Sequence, residues 1–188
     1  MRSNTRALYT FASMLWAQSA EADHLSSSYE SAEERITRES GAPVPARQRQ
    51  WIWKLHEYES FWAAGGKSPR ENTRDRGAIP ISERRLGEWA RYQRRFEAEL
   101  SVYQRLRLDV SPAFQWDPQE AGWHRNFDKC AAHLRRTGQL PTLTANDPEQ
   151  FAIARWLGRQ LRHLRDETLT KNRAAVLKLL LSEAQRHN

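Results

Sequence analysis

Residues 51–69 read WIWKLHEYESFWAAGGKSP, and their pattern returns 72 positions later in residues 123–141, WHRNFDKCAAHLRRTGQLP. The pairs that match at this offset are Trp51 with Trp123, Leu55 with Phe127, Phe61 with His133, Trp62 with Leu134, Gly66 with Gly138 and Pro69 with Pro141. An internal repeat of this kind indicates one supersecondary unit that is used twice.

The repeat continues towards the C-terminus with small changes of offset, which fall where loops would change length. At an offset of 67 the matching pairs are Leu86 with Ile153, Trp89 with Trp156 and Gln93 with Gln160. At an offset of 69, Leu100-Ser101 match Leu169-Thr170, and Leu108 matches Leu177. The repeat therefore covers most of the chain beyond residue 45.

Each unit is predicted to contain three helices. In the first unit the spacing of large apolar residues from Trp51 to Trp62 places them on one helix face, and Gly66 and Pro69 end that helix. Ser82 is a predicted N-cap of the second helix, and Ser101 of a third that carries Leu106 and Val110. In the second unit the predicted starts are Asp117-Pro118, Asp147-Pro148 and the residue after Thr170.

The chain is predicted to be all-α, with two tandem three-helix units preceded by a helical N-terminal arm. No segment has the alternating pattern of a strand. The arm is expected to hold helices near residues 4–22 and 28–38, followed by a Pro- and Gly-rich linker at 41–45. The predicted divisions are 1–45 for the arm and linker, 46–116 for the first unit and 117–188 for the second.

The chain is expected to be a soluble cytoplasmic protein. Its single cysteine, Cys130, allows no intramolecular disulfide and fits a reducing compartment. No apolar run reaches the roughly 18 residues of a membrane-spanning helix, so we predict no membrane association. The basic start and apolar residues 7–17 have the outline of a secretory signal, although their pattern suits an amphipathic helix as well.

Tryptophan is abundant, with eight residues in the chain. Four of them occupy repeated, inward-facing helix positions and are predicted to lie in the core: Trp51, Trp89, Trp123 and Trp156. Trp16, Trp53 and Trp116 are freer to be exposed, and an exposed indole could stack on unpaired bases. Gln93 and Gln160 are expected to form hydrogen bonds near the helix packing, because a buried amide must find partners.

Basic side chains are concentrated beyond residue 45. The formal net charge of the chain is +7. Residues 1–45 carry four arginines against six acidic side chains, which leaves +9 on the remainder. A basic, aromatic-rich segment attached to a mildly acidic arm indicates a polyanionic partner.

Arginines follow helix faces in both units. Arg155, Arg159 and Arg162 lie at i, i+4 and i+7 and therefore form one stripe. A guanidinium suits phosphate because its planar fork donates two hydrogen bonds at once. The predicted nucleic-acid-binding residues are Arg84, Arg91, Arg94, Arg95, Arg155, Arg159, Arg162, Lys171 and Arg173. The alternative is that the arginines form ordinary surface ion pairs with Glu83, Glu88, Asp166 or Glu167.

The order of motifs in the two units matches a known family. The first unit reads Trp51, Gly66 with Ser68-Pro69, Leu86-Gly87-Glu88-Trp89, Gln93-Arg94 and Leu100-Ser101. The second reads Trp123, Gly138-Gln139-Leu140-Pro141, Trp156, Gln160 and Leu169-Thr170-Lys171-Asn172-Arg173. Each unit resembles the helicase-associated domain, a three-helix repeat found mainly in actinobacterial proteins, often in tandem behind helicase motors.

This resemblance implies a bacterial protein with a three-helix fold, a presumed role in nucleic-acid binding and a helicase as a partner. The sequence departs from the family pattern at Ala154, which replaces a glycine, and at Leu161 and Gln104, which stand where arginines are expected. If those arginines contact nucleic acid in the family, each unit here holds an incomplete set.

Catalytic and cofactor chemistry is not predicted. Residues 65–68, GGKS, resemble the end of a phosphate-binding loop, but Phe61 stands where its first glycine is required. Cys130 and His133 lack the second pair of ligands that structural zinc needs. No arrangement of residues indicates a catalytic triad. We therefore expect no enzyme activity, no metal and no cofactor.

Two functions follow from the sequence. The first is a non-catalytic nucleic-acid-binding module, with DNA as the expected ligand, that applies Arg-rich helices to the phosphate backbone. The second is a protein-interaction adaptor or helicase partner that docks through its Trp-rich helices or its N-terminal arm. An apolar patch on the arm would favour the second function, and its candidate residues are Leu8, Phe11, Leu15 and Trp16.

Overall fold

The computed structural model describes residues 2–19, 23–71, 76–144 and 147–187, and these residues form helices and loops without a strand. The α-helices are α1 (Arg2–Gln18), α2 (His24–Thr37), α3 (Ala46–Gly65), α4 (Ile81–Arg95), α5 (Val102–Asp109), α6 (Pro118–Thr137), α7 (Pro148–Arg165) and α8 (Lys171–His187). The predicted all-α class is confirmed. The expected end of the first helix, at residues 20–22, lies outside the described residues.

The chain divides into two compact units, Met1–Trp116 and Asp117–Asn188. The first unit contains α1 to α5, because α1 and α2 pack against α5 and α2 also packs against α3. Ala12 of α1 and Tyr29 and Ala32 of α2 are buried in the same core as α3 and α5. The N-terminal arm, which the sequence analysis separates at residue 45, is thus an integral part of the first unit.

The helix starts follow local capping chemistry. The Asp117 carboxylate accepts hydrogen bonds from the amides of Gln119 and Glu120 at the start of α6, and the Asp147 carboxylate accepts one at the start of α7. Ser101 caps α5 as predicted. The predicted Ser82 cap is wrong. Helix α4 begins at Ile81, two residues before the start that a Ser82 cap would give, because Pro80 adopts an extended ψ of 141° and its carbonyl oxygen accepts the Arg84 amide at 3.0 Å.

The first helix of each repeat ends in the same way. Gly66 and Gly138 adopt left-handed φ values of 63° and 72°, which glycine tolerates without strain. Each donates its amide to the carbonyl oxygen four residues earlier, at 2.7 Å in both cases. Buried prolines, Pro69 and Pro141, follow. Residues 65–68 are therefore a helix-ending turn, as predicted, and the Ser68 hydroxyl donates to the backbone carbonyl of Ala113.

Each unit holds a buried tryptophan–glutamine pair. The Trp51 indole donates to the Gln93 side-chain oxygen at 2.8 Å, and the Trp123 indole donates to that of Gln160 at 2.9 Å. The predicted hydrogen bonding of both glutamines is confirmed. Trp51, Trp123 and Trp156 are buried, and Trp89 is half-buried against the first core. Both pairs lie where the repeat alignment places them.

The three tryptophans that were predicted to be freer to be exposed differ from one another. Trp53 is 55% exposed, whereas Trp16 and Trp116 pack against the first core. Cys130 is fully buried in the second core, and burial raises the pKa of its thiol to about 11. This thiol is therefore protonated at neutral pH.

A buried ionic network joins α2, α3 and α5 in the first unit. The fully buried Arg107 donates to Glu33 at 2.9 Å and, through both terminal nitrogens, to Glu59 at 2.7 and 2.9 Å. Glu33 also accepts from the Tyr103 hydroxyl at 3.0 Å and lies 2.9 Å from the His56 ring. Burial by itself would raise the pKa of Glu33, but Arg107 and His56 hold it below its usual value. Hydrophobic periodicity does not predict this network, because its members are charged and polar.

Candidate nucleic-acid interface

The outer face of α7 carries three exposed arginines, Arg155, Arg159 and Arg162. The opposite face of the helix is buried, with Ile153, Trp156 and Gln160 in the core of the second unit. At 1.5 Å of rise per residue the stripe extends about 10 Å along the helix axis. The helical period and the buried Trp156–Gln160 face therefore aim all three guanidinium groups outward.

No described carboxylate forms an ion pair with these three arginines. Asp166 pairs instead with Arg165, at 3.2 Å. The Arg155 guanidinium lies 5.9 Å from the ring centre of Phe151, a contact that leaves its hydrogen-bond donors available. Within the part of the chain that the structure describes, this stripe thus forms none of the surface ion pairs expected as an alternative, and its guanidinium groups face outward.

Two of the predicted binding residues are engaged inside their own units. The Arg94 side chain is 13% exposed, pairs with Glu71 and donates to the Gln115 carbonyl oxygen at 2.9 Å. Arg173 pairs with Glu120 and lies 5.3 Å from the ring centre of Trp123. These contacts hold both guanidinium groups in place, so they tie loops and helices together within each unit.

The other predicted residues vary in exposure. Arg84 and Arg91 are half-buried, whereas Arg95 and Lys171 are exposed. The Arg95 guanidinium lies over the Phe96 ring at 5.4 Å. Glu83, a predicted pairing partner of these arginines, is buried and bound by Arg70, whose hydrogen bond lowers the pKa of Glu83 below its usual value. Arg95 and Lys171 remain accessible to a ligand.

The outer faces of the equivalent helices α4 and α7 differ in chemistry. At the offset of 67, Arg155, Arg159 and Arg162 correspond to Glu88, Tyr92 and Arg95. The same face therefore carries three cations in the second unit, and an acid, an aromatic ring and a cation in the first. Of the arginines predicted on α4, Arg95 matches a member of the α7 stripe, whereas Arg84 and Arg91 match Phe151 and Gly158.

Sequence reasoning missed a second surface, between α3 and α4 in the first unit. Three cavities share the Lys54 side chain, and their volumes are about 710, 310 and 400 Å³. Residues of both helices line the first and the third, and residues of α3 line the second. Exposed Trp53 and Tyr92 border this groove. The sequence analysis predicts that Trp53 is free to be exposed, but the presence of α4 residues such as Tyr92 along the same groove depends on the packing of α4 against α3.

Metal ligands are not assembled within the described ranges: no three histidine, cysteine, aspartate or glutamate side chains come together there. None of the described helices is both long enough and apolar enough to span a bilayer. The chain matches no protein-family model, no curated protein sequence and no solved structure. The resemblance to helicase-associated repeats accordingly stays a prediction.

Proposed function

We propose that this chain is a non-catalytic nucleic-acid-binding protein whose second unit contacts the phosphate backbone through the α7 stripe. The observation that carries the proposal is the outward exposure of Arg155, Arg159 and Arg162, which pair with no described carboxylate, on a helix fixed by its buried face. Residues 117–188 hold 12 lysines and arginines against 8 acidic residues, which adds a favourable long-range field. DNA is the first ligand to test.

The test is fluorescence anisotropy with labelled duplex and single-stranded DNA over about 50 to 200 mM salt. The stripe variant replaces Arg155, Arg159 and Arg162 with alanine. If each arginine neutralises one phosphate, the slope of log affinity against log salt on duplex DNA becomes shallower by about 3. Circular dichroism shows whether the variant stays folded.

A charge-matched control separates the stripe from overall charge. Arg135, Lys178 and Arg186 are exposed residues of the same unit, and their replacement with alanine removes the same three charges elsewhere. We expect this control to retain most of the affinity. Equal losses of DNA affinity in the two triple variants would show that only the net charge of the unit matters, and would overturn the proposed role of the stripe.

A second candidate function is docking of another protein, such as a helicase, through α1. Phe11 and Met14 are 48% and 45% exposed on this helix, Leu8 and Leu15 are half-buried, and Trp16 packs into the core. Wild-type protein that binds neither form of DNA nor RNA at low salt would move this function ahead. Its test is then whether the double variant Phe11→Ser, Met14→Ser loses the association of this chain with such a partner, measured by sedimentation of the mixture at several concentrations.

A further inference from the structure

The groove between α3 and α4 has aromatic rings at its exposed edges. Trp53 and Tyr92 are 55% and 57% exposed, although both residue types usually bury most of their surface. The Tyr92 and Phe96 ring centres lie 4.5 Å apart, with 43° between the ring planes. Aromatic rings from two different helices, α3 and α4, are therefore exposed to solvent along the groove.

Cations accompany these rings. The Arg49 guanidinium lies 5.5 Å from the Trp53 ring centre, and that of Arg95 lies 5.4 Å from the Phe96 ring centre. Lys54 and the exposed Arg85 line both the cavity that Trp53 borders and the cavity that Tyr92 borders. An arginine next to an aromatic ring can contact the phosphate of a nucleotide whose base stacks on that ring.

Acidic groups in the groove are outnumbered by cations. The acidic lining residues are Glu57 and Glu99, and Glu57 is paired with Lys54 at 2.6 Å. The basic lining residues are Arg47, Arg49, Lys54 and Arg85. The surface thus combines a positive field with π-faces, which is the combination that proteins use to hold unpaired nucleotides.

The second unit differs at the two positions of these rings. At the repeat offsets of 72 and 67, Trp53 corresponds to Arg125 and Tyr92 to Arg159. Both exposed rings of the groove are therefore arginines in the second unit. Arginine at these positions favours phosphate, whereas an exposed ring favours the face of a base.

We infer that the α3–α4 groove binds single-stranded nucleic acid by stacking unpaired bases on Trp53 and Tyr92, with the neighbouring cations on the backbone. The inference rests on the proposed nucleic-acid-binding function, but it concerns a different surface in the other unit. Duplex DNA offers no free base faces, so the groove distinguishes single strands from duplexes.

The test compares two fluorescent oligonucleotides of about 16 nucleotides, a length at the upper end of single-strand sites. One is oligothymidine, and the other is an abasic strand with the same phosphates. Full-length wild-type protein should bind oligothymidine more tightly. The variant with Trp53→Leu and Tyr92→Leu should lose about 5- to 100-fold in oligothymidine affinity and bind both strands alike. Tyr92→Phe, which keeps the ring, should retain the preference.

The outcomes separate this inference from the proposed function. Equal wild-type affinity for the two strands, or an unchanged preference in the double variant, overturns the stacking groove. The α7 stripe variant should have an equally reduced affinity for both strands and should still prefer oligothymidine to the abasic strand. Wild-type protein that binds neither strand at low salt overturns both proposals. Because both rings are more than half exposed, the leucine variants should keep the helical content of the wild type, which circular dichroism checks.

Discussion

The two units share one buried hydrogen bond and differ at a second pair of matched interior positions. Both bury a tryptophan–glutamine pair. The first unit also buries the ion pair of Arg107 with Glu59, whereas the corresponding residues of the second unit are Val176 and Ala131. Both of these pack against the second core as partly buried apolar groups. The same helical repeat thus tolerates either a charged or an apolar interior.

The difference follows from the helices that surround each repeat. Glu33 of α2 supplies the second carboxylate on Arg107, and α1 and α2 exclude water from the pair. The described residues of the second unit form α6, α7 and α8, with no counterpart of α1 or α2 among them. A buried charge is tolerated when paired and fully hydrogen-bonded, and only the first unit provides enough partners. The tryptophan–glutamine pair needs two helices, so it occurs in both.

The largest effect is expected from breaking the ionic network. Arg107→Met leaves Glu33 and Glu59 as buried carboxylates without their main partner, and we expect it to cost about 3 to 5 kcal/mol of unfolding free energy. The matched change in the second unit, Val176→Ala, should cost about 1 kcal/mol, because it removes partly buried methyl groups. Urea unfolding followed by circular dichroism measures both. Similar costs would contradict the role assigned to the network.

Acid should weaken the same network. The pKa of Glu33 lies below its usual value in the folded protein, so its carboxylate contributes stability above the unfolded value of about 4.3. That contribution is lost as the pH falls through the lower, folded pKa. Urea unfolding between about pH 7 and pH 3 should therefore show a steeper loss in wild type than in Glu33→Gln. Parallel pH profiles of the two proteins would contradict this contribution of the Glu33 carboxylate.

The shared tryptophan–glutamine pairs should respond alike. Gln93→Leu and Gln160→Leu each leave a buried indole N–H without its acceptor, which costs about 1 to 3 kcal/mol. Adding Trp51→Phe to Gln93→Leu removes the orphaned donor, so the combined cost should be smaller than the sum of the two single costs. Unfolding free energies of the four variants provide the measurement. A large effect in only one unit would show that the pairs are not equivalent.

The smallest effect concerns the helix positions Gly87 and Ala154, which match in the repeat. A Cβ at Gly87 would lie 2.7 Å from the backbone carbonyl oxygen of Arg70, too close without a shift. We expect Gly87→Ala to destabilise by about 1 kcal/mol, because overpacking outweighs its better helix propensity. Ala154→Gly should cost a similar amount through propensity alone. A thermal melt that shows Gly87→Ala to be stabilising would exclude the close contact.

Periodicity and the repeat alignment predicted the parts of the fold that depend on local spacing. The helix-ending glycines Gly66 and Gly138 and the hydrogen-bonded Gln93 and Gln160 lie where they were predicted, because each depends on residues within one helix or on its match in the other unit. Arg107 was missed because a hydrophobic pattern treats arginine as an outward residue. The prediction placed Leu106 and Val110 on the third helix, but both are only half-buried.

The candidate site was predictable only where it depends on helix geometry. The exposed stripe of α7 follows from the spacing of its arginines. The internal roles of Arg94 and Arg173 do not, because their partners Glu71 and Glu120 lie 23 and 53 residues away along the chain. Spacing within a helix shows which side chains share a face, whereas pairing across the core requires the tertiary structure.

Cys130 allows local opening of the second unit to be measured separately. It is the single thiol of the chain, fully buried, and with its pKa raised to about 11 it holds little reactive thiolate. The matching position in the first unit is Tyr58, and thiol-alkylating reagents do not label a tyrosine. The rate of alkylation therefore reports how often the second unit exposes its interior in otherwise native protein. Bound nucleic acid that contacts the second unit should slow this reaction.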